Sequence, residues 1–186
     1  MSRTGHRGTL SSWVNALPTS LLVISDREPL AWLLRTSSFA IPAARAASAP
    51  RPGARLLLYT TRGCFRNPGR DRGLVMGVAH VTSEPKRLEE PMTFRGYEYV
   101  IGLALDLQGA CPVHEGVELG SLQGRLGLLP ADGPWSYPLR KSVVPVSDHD
   151  ATLIRERLEP LLRPVSEVLP TYERAARLLE DEESND

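Results

Sequence analysis

The chain lacks the features that mark several large classes of protein. Its 186 residues contain no run of about 18 apolar residues, so we predict no membrane-spanning helix and no membrane partner. The start of the sequence has no apolar segment like that of a signal peptide, and we expect a cytoplasmic protein. The two cysteines and four histidines are scattered, which offers neither a disulfide framework nor zinc-ligand spacing. We predict no metal and no cofactor.

Lysine is also scarce, and the charges are unevenly distributed along the chain. Residues 1–72 contain eleven arginines and three acidic residues, a net charge of +8, whereas residues 73–186 carry a net charge of −8. A GC-rich genome would explain the preference for arginine over lysine, but it would not explain the clustering. The basic half has the electrostatic character of a surface that binds a polyanion such as nucleic acid.

Common catalytic motifs are missing as well. The sequence has no G-x-S-x-G elbow, P-loop, H-E-x-x-H or dinucleotide fingerprint. The densest titratable cluster, Asp148-His149-Asp150, lies where a helix should begin, and its carboxylates suit that helix N-terminus. Cys64 lies between Arg62 and Arg66, whose charge would activate a thiol. We expect no enzymatic activity, and an enzyme acting on RNA or nucleotides is the alternative.

The hairpin at residues 51–83 is the centre of the predicted fold. Its strands, Leu56–Thr61 and Leu74–Val81, have the length and composition of buried β-strands. The loop between them is long for a hairpin, and such loops in compact domains are often functional. This loop contains one acidic residue, Asp71, and four arginines: Arg62, Arg66, Arg70 and Arg72.

Helical signals precede and follow this hairpin. Asp26 is a candidate N-cap for a helix to about Thr36, in which Trp32 lies off the apolar face. Ser147 opens a second helix, and a third is predicted from about Thr171 to Leu179. The apolar face of the first helix comprises Leu30, Leu33 and Leu34, and that of the second Ile154, Leu158, Leu161 and Leu162.

Alternating and short apolar segments predict the remaining strands. Tyr97–Leu107 is the clearest of them, with its odd-numbered residues on the core face. Gly and Pro turns separate shorter strands at Val113–Leu119, Arg125–Leu129 and Ser142–Val146, while Pro42–Pro52 should be an extended connector. Together these elements predict one α+β domain.

Several aromatic residues have hydroxyl-bearing neighbours, as in a pocket for a nucleobase. Base faces stack on Trp or Tyr, and base edges bond to hydroxyl and backbone groups. Burial in the core is the alternative for each of them. The candidate groups are Trp13 with Ser12, Trp32 with Arg35 and Ser37, Tyr59 with Thr60 and Thr61, and Trp135 with Tyr137.

The order of these elements from Leu10 to Leu162 is similar to the EVE domain, a branch of the PUA-like barrels related to YTH and ASCH domains. The segment Gly77-Val78-Ala79-His80-Val81 is the most specific part of the resemblance. The other matching features are Trp13, Trp32, the Pro52-Gly53 turn, Tyr59-Thr60-Thr61, Trp135, Arg140-Lys141-Ser142 and a helix starting at Asp150. Tyr59-Thr60-Thr61 stands where the family usually has Tyr-His-Ser, and residues 35–39 depart from its Arg-Asn-Tyr-Gln-like segment.

The resemblance implies a PUA-like small mixed β-barrel flanked by helices, with a C-terminal helical extension. Residues 1–8 would be a disordered N-terminus, 9–164 the domain, and 165–186 a helix with an acidic tail. The implied function is a non-enzymatic reader of methylated DNA that flips 5-methylcytosine into an aromatic pocket, with a YTH-like RNA-binding module as the alternative. The base pocket would comprise Ser12, Trp13, Trp32, Ser37, Tyr59, Thr60, Thr61 and Trp135, and Arg35, Arg62, Arg66, Arg70 and Arg72 would bind phosphates. The oligomeric state is left open.

Overall fold

A computed structural model describes residues 18–67, 69–94, 96–129, 131–132 and 138–177. Its strands are β1 (Thr19–Ile24), β2 (Ser38–Ile41), β3 (Arg55–Thr60), β4 (Leu74–Val81), β5 (Lys86–Phe94), β6 (Tyr97–Ala110), β7 (Val117–Glu118) and β8 (Val143–Val146). Its α-helices are α1 (Arg27–Thr36), α2 (Asp148–Leu158) and α3 (Val165–Arg177). Short 3-10 helices cover Ala43–Ser48, Leu119–Leu122, Pro138–Arg140 and Glu159–Leu161.

One sheet connects all the strands. Its order is β2-β6-β4-β3-β1-β8, with β5 paired to β6 and β7 to β4, and the only parallel pair among the described residues is β1 with β3. The predicted α+β class is confirmed, but within the described ranges β2 and β8 do not pair, so the sheet is not closed into a barrel. Proline limits pairing at both edges, because Pro42 follows β2 and Pro145 lies within β8.

The central hairpin has the predicted strands. β3 and β4 pair antiparallel, with Leu57 opposite Val78 and a bulge after Leu58. The strands are closely packed at Gly77, because a Cβ there would lie 3.0 Å from Leu58 Cδ1 and 3.1 Å from the Gly109 carbonyl oxygen. The side chains of β3 from Leu56 onward are buried, so this hairpin forms the centre of the core.

Helix α1 also follows its sequence signals. The Asp26 carboxylate caps it by accepting a hydrogen bond from the Glu28 amide at 3.2 Å. Trp32 is half-buried and packs at the side of the helix, away from the buried apolar stripe. Ser37 closes the helix in the left-handed region, with φ of 49°, and directs the chain straight into β2. The predicted stripe residues Leu30, Leu33 and Leu34 are all buried.

Two predictions about the remaining segments are wrong, one strand was not predicted, and the predicted strand Val113–Leu119 is a strand only at Val117–Glu118. Lys86–Phe94 forms the missed strand β5, whose charged, mostly exposed side chains and Pro91 conceal the usual strand pattern. The alanine-rich part of Pro42–Pro52 forms a 3-10 helix instead of an extended connector. Arg125–Leu129 consists of turns with one isolated bridge, because Gly124 and Gly127 allow the chain to fold back on itself.

The two C-terminal helices pack onto the same core as the sheet. Ser147 caps α2 as predicted, and its hydroxyl accepts from the Asp150 amide at 3.1 Å. Helix α3 begins at Val165, earlier than predicted, and it contains Pro170. Its Tyr172 is buried and donates a hydrogen bond to the Cys111 carbonyl oxygen at 2.9 Å. The predicted boundary after residue 164 therefore precedes a helix that contributes to the common core.

The described helices include none with the length and apolar character needed to cross a membrane.

Candidate functional site

Among the described residues, five aromatic side chains line one cavity between α1 and the β5–β6 hairpin, which we call the aromatic cavity. Its volume is about 270 Å³. The end of β1, the first turns of α1 and strand β2 complete its walls. The aromatic lining consists of Trp32, Phe39, Phe94, Tyr97 and Tyr99, and the polar lining of Ser25, Asp26 and Ser142.

The aromatic rings are held by one another as well as by the backbone. Phe94 and Tyr97 are partners across the β5–β6 hairpin, and Tyr99 lies on the same face of β6 as Tyr97. Ring centroids are 6.4 Å apart for Trp32 and Phe94, and 5.6 Å apart for Phe94 and Tyr99, both with edge-to-face geometry. Such contacts stabilise ring positions. Tyr97 is 70% exposed.

Asp26 supplies a carboxylate in the wall of this cavity. The residue is only 7% exposed, and its Oδ1 accepts the capping hydrogen bond from Glu28. The Arg66 guanidinium, from the long loop between β3 and β4, lies 3.8 Å from Asp26 Oδ2. An ionised carboxylate accepts hydrogen bonds and donates none, so this wall favours a ligand that presents N–H or O–H groups.

Of the predicted pocket residues, the structure brings Trp32 to the aromatic cavity. Ser37 ends α1 and Thr61 follows β3, and neither lines the cavity. Ser12, Trp13 and Trp135, together with Tyr137, lie outside the described residues.

Tyr59 and Thr60 belong to the core, and their predicted place in a base pocket is corrected. They are 2% and 1% exposed, and neither lines the aromatic cavity. The Thr60 hydroxyl donates to the Leu74 carbonyl oxygen at 3.3 Å. Burial raises the pKa of Tyr59 to about 12, partly offset by the nearby Arg62 charge. The space left by Gly73 accommodates the Tyr59 ring inside the protein, because a Cβ at Gly73 would lie 2.3 Å from the Tyr59 hydroxyl.

The predicted phosphate-binding arginines have different surroundings. Arg35 is exposed on α1 and lies 3.8 Å from Glu173 of α3. Arg62 and Arg70 are exposed on the loop, and Arg66 pairs with Asp26. The Arg72 guanidinium donates to a backbone carbonyl oxygen, that of Asp71, at 3.0 Å. Arg66 and Arg72 thus take part in internal contacts, and the phosphate role of all five arginines stays a prediction.

Asp71 organises the arginine loop from inside. Its Oδ2 accepts hydrogen bonds from the backbone amides of Phe65 and Asn67, both at 3.1 Å. His114 Nδ1 lies 3.7 Å from the other carboxylate oxygen, and the Asp71 side chain is fully buried. The sequence had indicated only that Asp71 was the single acid of the loop. Its structural role is to fix the backbone from which the arginines project.

Sequence reasoning missed most of the aromatic cavity. Tyr97 and Tyr99 had been assigned to the core face of their strand, yet both line the cavity and Tyr97 is largely exposed. Phe39, Phe94 and Asp26 are not among the residues predicted from the sequence to contact a ligand. The available signal was a turn at Gly96 with aromatic residues on both sides, which places flat side chains together at the tip of a hairpin.

Both cysteines are fully buried. For Cys111, burial raises the pKa of the thiol to about 11, and the Glu115 charge acts in the same direction. Reactive cysteines are usually partly exposed and have lowered pKa values. Cys64 is fully buried and therefore lacks the partial exposure that is usual for a reactive cysteine, while the absence of enzymatic activity stays a prediction.

Comparison with known proteins shows similarity in fold. No protein-family model matches the sequence, and no curated protein matches it. The structure of the YTH domain-containing protein Mmi1 with RNA has a TM-score of 0.50 and 11% identity, covering 75% of this chain and 80% of that one. A second Mmi1 YTH domain complex with RNA has a TM-score of 0.50 and 10% identity, covering 79% and 83%. The chain has a YTH/PUA-like fold. Membership of the EVE branch stays a prediction.

Proposed function

We propose that this protein is a non-enzymatic reader that holds one modified, unpaired nucleobase in the aromatic cavity. The observation that carries this proposal is the convergence of five aromatic side chains and the nearly buried Asp26 on one cavity. Flat rings bind the face of a base, and a carboxylate binds N–H groups on its edge. The YTH-like fold is consistent with this use.

The size of the cavity fits one ring system. Its volume of about 270 Å³ lies just below the range of about 300 to 1,000 Å³ that is typical for drug-sized ligands. A base alone would therefore enter, while its sugar and phosphate remain outside. Because bases inside a duplex are stacked and paired, the ligand must be flipped out or single-stranded.

The polar wall favours bases with an amino group on the edge. The Asp26 carboxylate would accept from the exocyclic amino group of cytosine or adenine, and the Ser25 and Ser142 hydroxyls would complete the edge contacts. The aliphatic lining, which includes Pro29, Leu33 and Ile41, would contact a methyl substituent. Burial of one methyl group is worth about 1 kcal/mol, so the preference for a methylated base should be of order tenfold or less.

Different observations support DNA and RNA as candidate ligands. The sequence resemblance to EVE domains favours 5-methylcytosine in DNA, which we take as the first ligand to test. The Mmi1 YTH domain was solved in complex with RNA, which supports methylated RNA as the second. The shared chemistry is a methylated base with an exocyclic amino group.

The test is a fluorescence-anisotropy titration at fixed salt. Matched single-stranded and duplex oligonucleotides would carry cytosine, 5-methylcytosine, hydroxymethylcytosine, adenine or N6-methyladenine, in DNA and in RNA. We expect at least one modified oligonucleotide to bind several-fold more tightly than its unmodified counterpart, and to be recovered chemically unchanged. Equal and weak binding to every oligonucleotide would contradict the reader function, and turnover of the modified base would contradict its non-enzymatic character.

A further inference from the structure

A second groove lies next to the aromatic cavity and carries three cationic residues. We call it the basic groove, and its volume is about 510 Å³. We propose that it binds the adjoining nucleotide of a single strand whose modified base occupies the aromatic cavity. This inference rests on the proposed function. To the proposed function it adds the path of the bound strand across the surface and a preference for single-stranded over duplex nucleic acid.

The two sites share part of their walls. Ile41 and Ser142 line both the aromatic cavity and the basic groove. Arg45, on the 3-10 helix Ala43–Ser48, donates a hydrogen bond to the Ser142 hydroxyl, and the Ser142 carbonyl oxygen accepts from the Val23 amide at 2.8 Å. The Arg45 guanidinium is thus held at the boundary between the sites. A phosphate linking a base in one site to a nucleotide in the other would pass there.

Charge distinguishes this groove from another one beside the same cavity. Among the described residues, the basic groove is lined by Arg45, Arg140 and Lys141 and by no acidic residue. The other groove, of about 390 Å³, shares Trp32 and Phe94 with the aromatic cavity. Its lining is balanced, with two cations and two acids: Arg35, Arg177, Glu28 and Glu173. A phosphate backbone would therefore follow the basic groove.

The remaining lining of the basic groove is largely apolar. Pro50, Val143 and Pro145 contribute to its walls together with the cations. This combination matches a single-stranded nucleotide, which presents a base to an apolar surface and a phosphate to cations at the same time. In a duplex the bases are paired inside, and only the backbone would reach such a groove. The mixed lining therefore favours a single strand.

The experiment compares the salt dependence of binding between variants. The double variant Arg45→Ala, Lys141→Ala changes two exposed side chains and should remain folded. For a single-stranded oligonucleotide with the preferred base, we expect the slope of log affinity against log salt to become shallower by about 1.4, for two lost phosphate contacts. The loss of affinity should be larger for the oligonucleotide than for the free modified nucleoside, which reaches only the aromatic cavity.

Arg125→Ala provides the matched control, because Arg125 is exposed and lines neither site. Its salt slope should equal that of the unmodified protein. An unchanged slope in the double variant, with the nucleoside still bound, would overturn the basic groove and leave the reader function intact. Tighter binding of the duplex than of the single strand would overturn the single-strand preference. Failure of the unmodified protein to bind any nucleoside or oligonucleotide would instead contradict the proposed function.

Discussion

The carboxylate of Asp26 lies 3.8 Å from the guanidinium of Arg66, which connects the aromatic cavity to the arginine loop. The Asp26 side chain is 9% exposed and that of Arg66 is 32% exposed. The same carboxylate caps helix α1, from which Trp32 projects. One residue thus takes part in helix capping, in an ion pair and in the cavity wall, and substitutions at this position separate these contributions.

Replacement of Asp26 by Asn and by Ala should have different effects on stability. Asn retains a side-chain oxygen for the Glu28 amide and caps helices about as well as Asp. Ala removes the cap, so we expect Asp26→Ala to be less stable than Asp26→Asn by about 1 kcal/mol. Urea denaturation of both variants gives this difference directly. Equal stability would show that the capping hydrogen bond contributes little.

If the negative charge of Asp26 is needed to bind the base edge, Asp26→Asn and Asp26→Ala should lose the same amount of ligand affinity. Both lose the anionic acceptor, so both should bind the preferred base about tenfold more weakly, as for one hydrogen bond to a charged group of about 1.5 kcal/mol. Anisotropy titration measures this loss. Full affinity in Asp26→Asn would show that the negative charge is not needed for recognition.

Trp32 provides a test of stacking. Base stacking on an aromatic side chain is worth about 1 to 3 kcal/mol, so Trp32→Ala should lower affinity by about fivefold or more and remove the preference for the modified base. Trp32→Phe keeps a flat ring, so it should retain most of the affinity and most of the preference for the modified base. Circular dichroism checks that the half-buried position tolerates each change. A preference that survives in Trp32→Ala would place the modified base elsewhere.

The sequence predicted those parts of the site that depend on local signals. The Asp26 cap and the leucine spacing are contained within ten residues, so helix α1 and the sideways position of Trp32 were predictable. The rest of the cavity forms where α1 meets the β5–β6 hairpin, which lies about sixty residues further along the chain. The charged residues and Pro91 of β5 hide the usual sequence pattern of a strand. Hydroxyls next to Tyr59 resembled a pocket, but the pattern does not reveal that the β3 side chains are buried on both faces.

Asp71 should control the shape of the arginine loop. Asp71→Ala removes both hydrogen bonds to the Phe65 and Asn67 amides and leaves these groups without their acceptor. We expect a loss of stability of about 2 to 3 kcal/mol, mainly from the cost of leaving the buried Phe65 amide unsatisfied, with a smaller part from the lost bond to Asn67. Asp106→Ala, at an exposed position of β6, is the matched control and should cost less than about 0.5 kcal/mol. Similar stability of the two variants would mean that the loop does not depend on Asp71.

Stability at alkaline pH should reveal the buried thiol of Cys111. Burial raises the pKa of this thiol from 9.0 to about 11, so the folded protein keeps a proton that the unfolded chain releases. The resulting stabilisation is fully present below pH 9, and it is lost as the pH rises towards 11. Cys111→Ala should remove this part of the pH dependence, worth about 2 to 3 kcal/mol between pH 9 and 11. Denaturant titrations at pH 8, 9, 10 and 11 measure the free energy of unfolding of both proteins. The same change of this free energy with pH in the variant and in the unmodified protein would contradict the prediction. Above pH 10 the buried Tyr59, with its pKa raised to about 12, should destabilise both proteins alike.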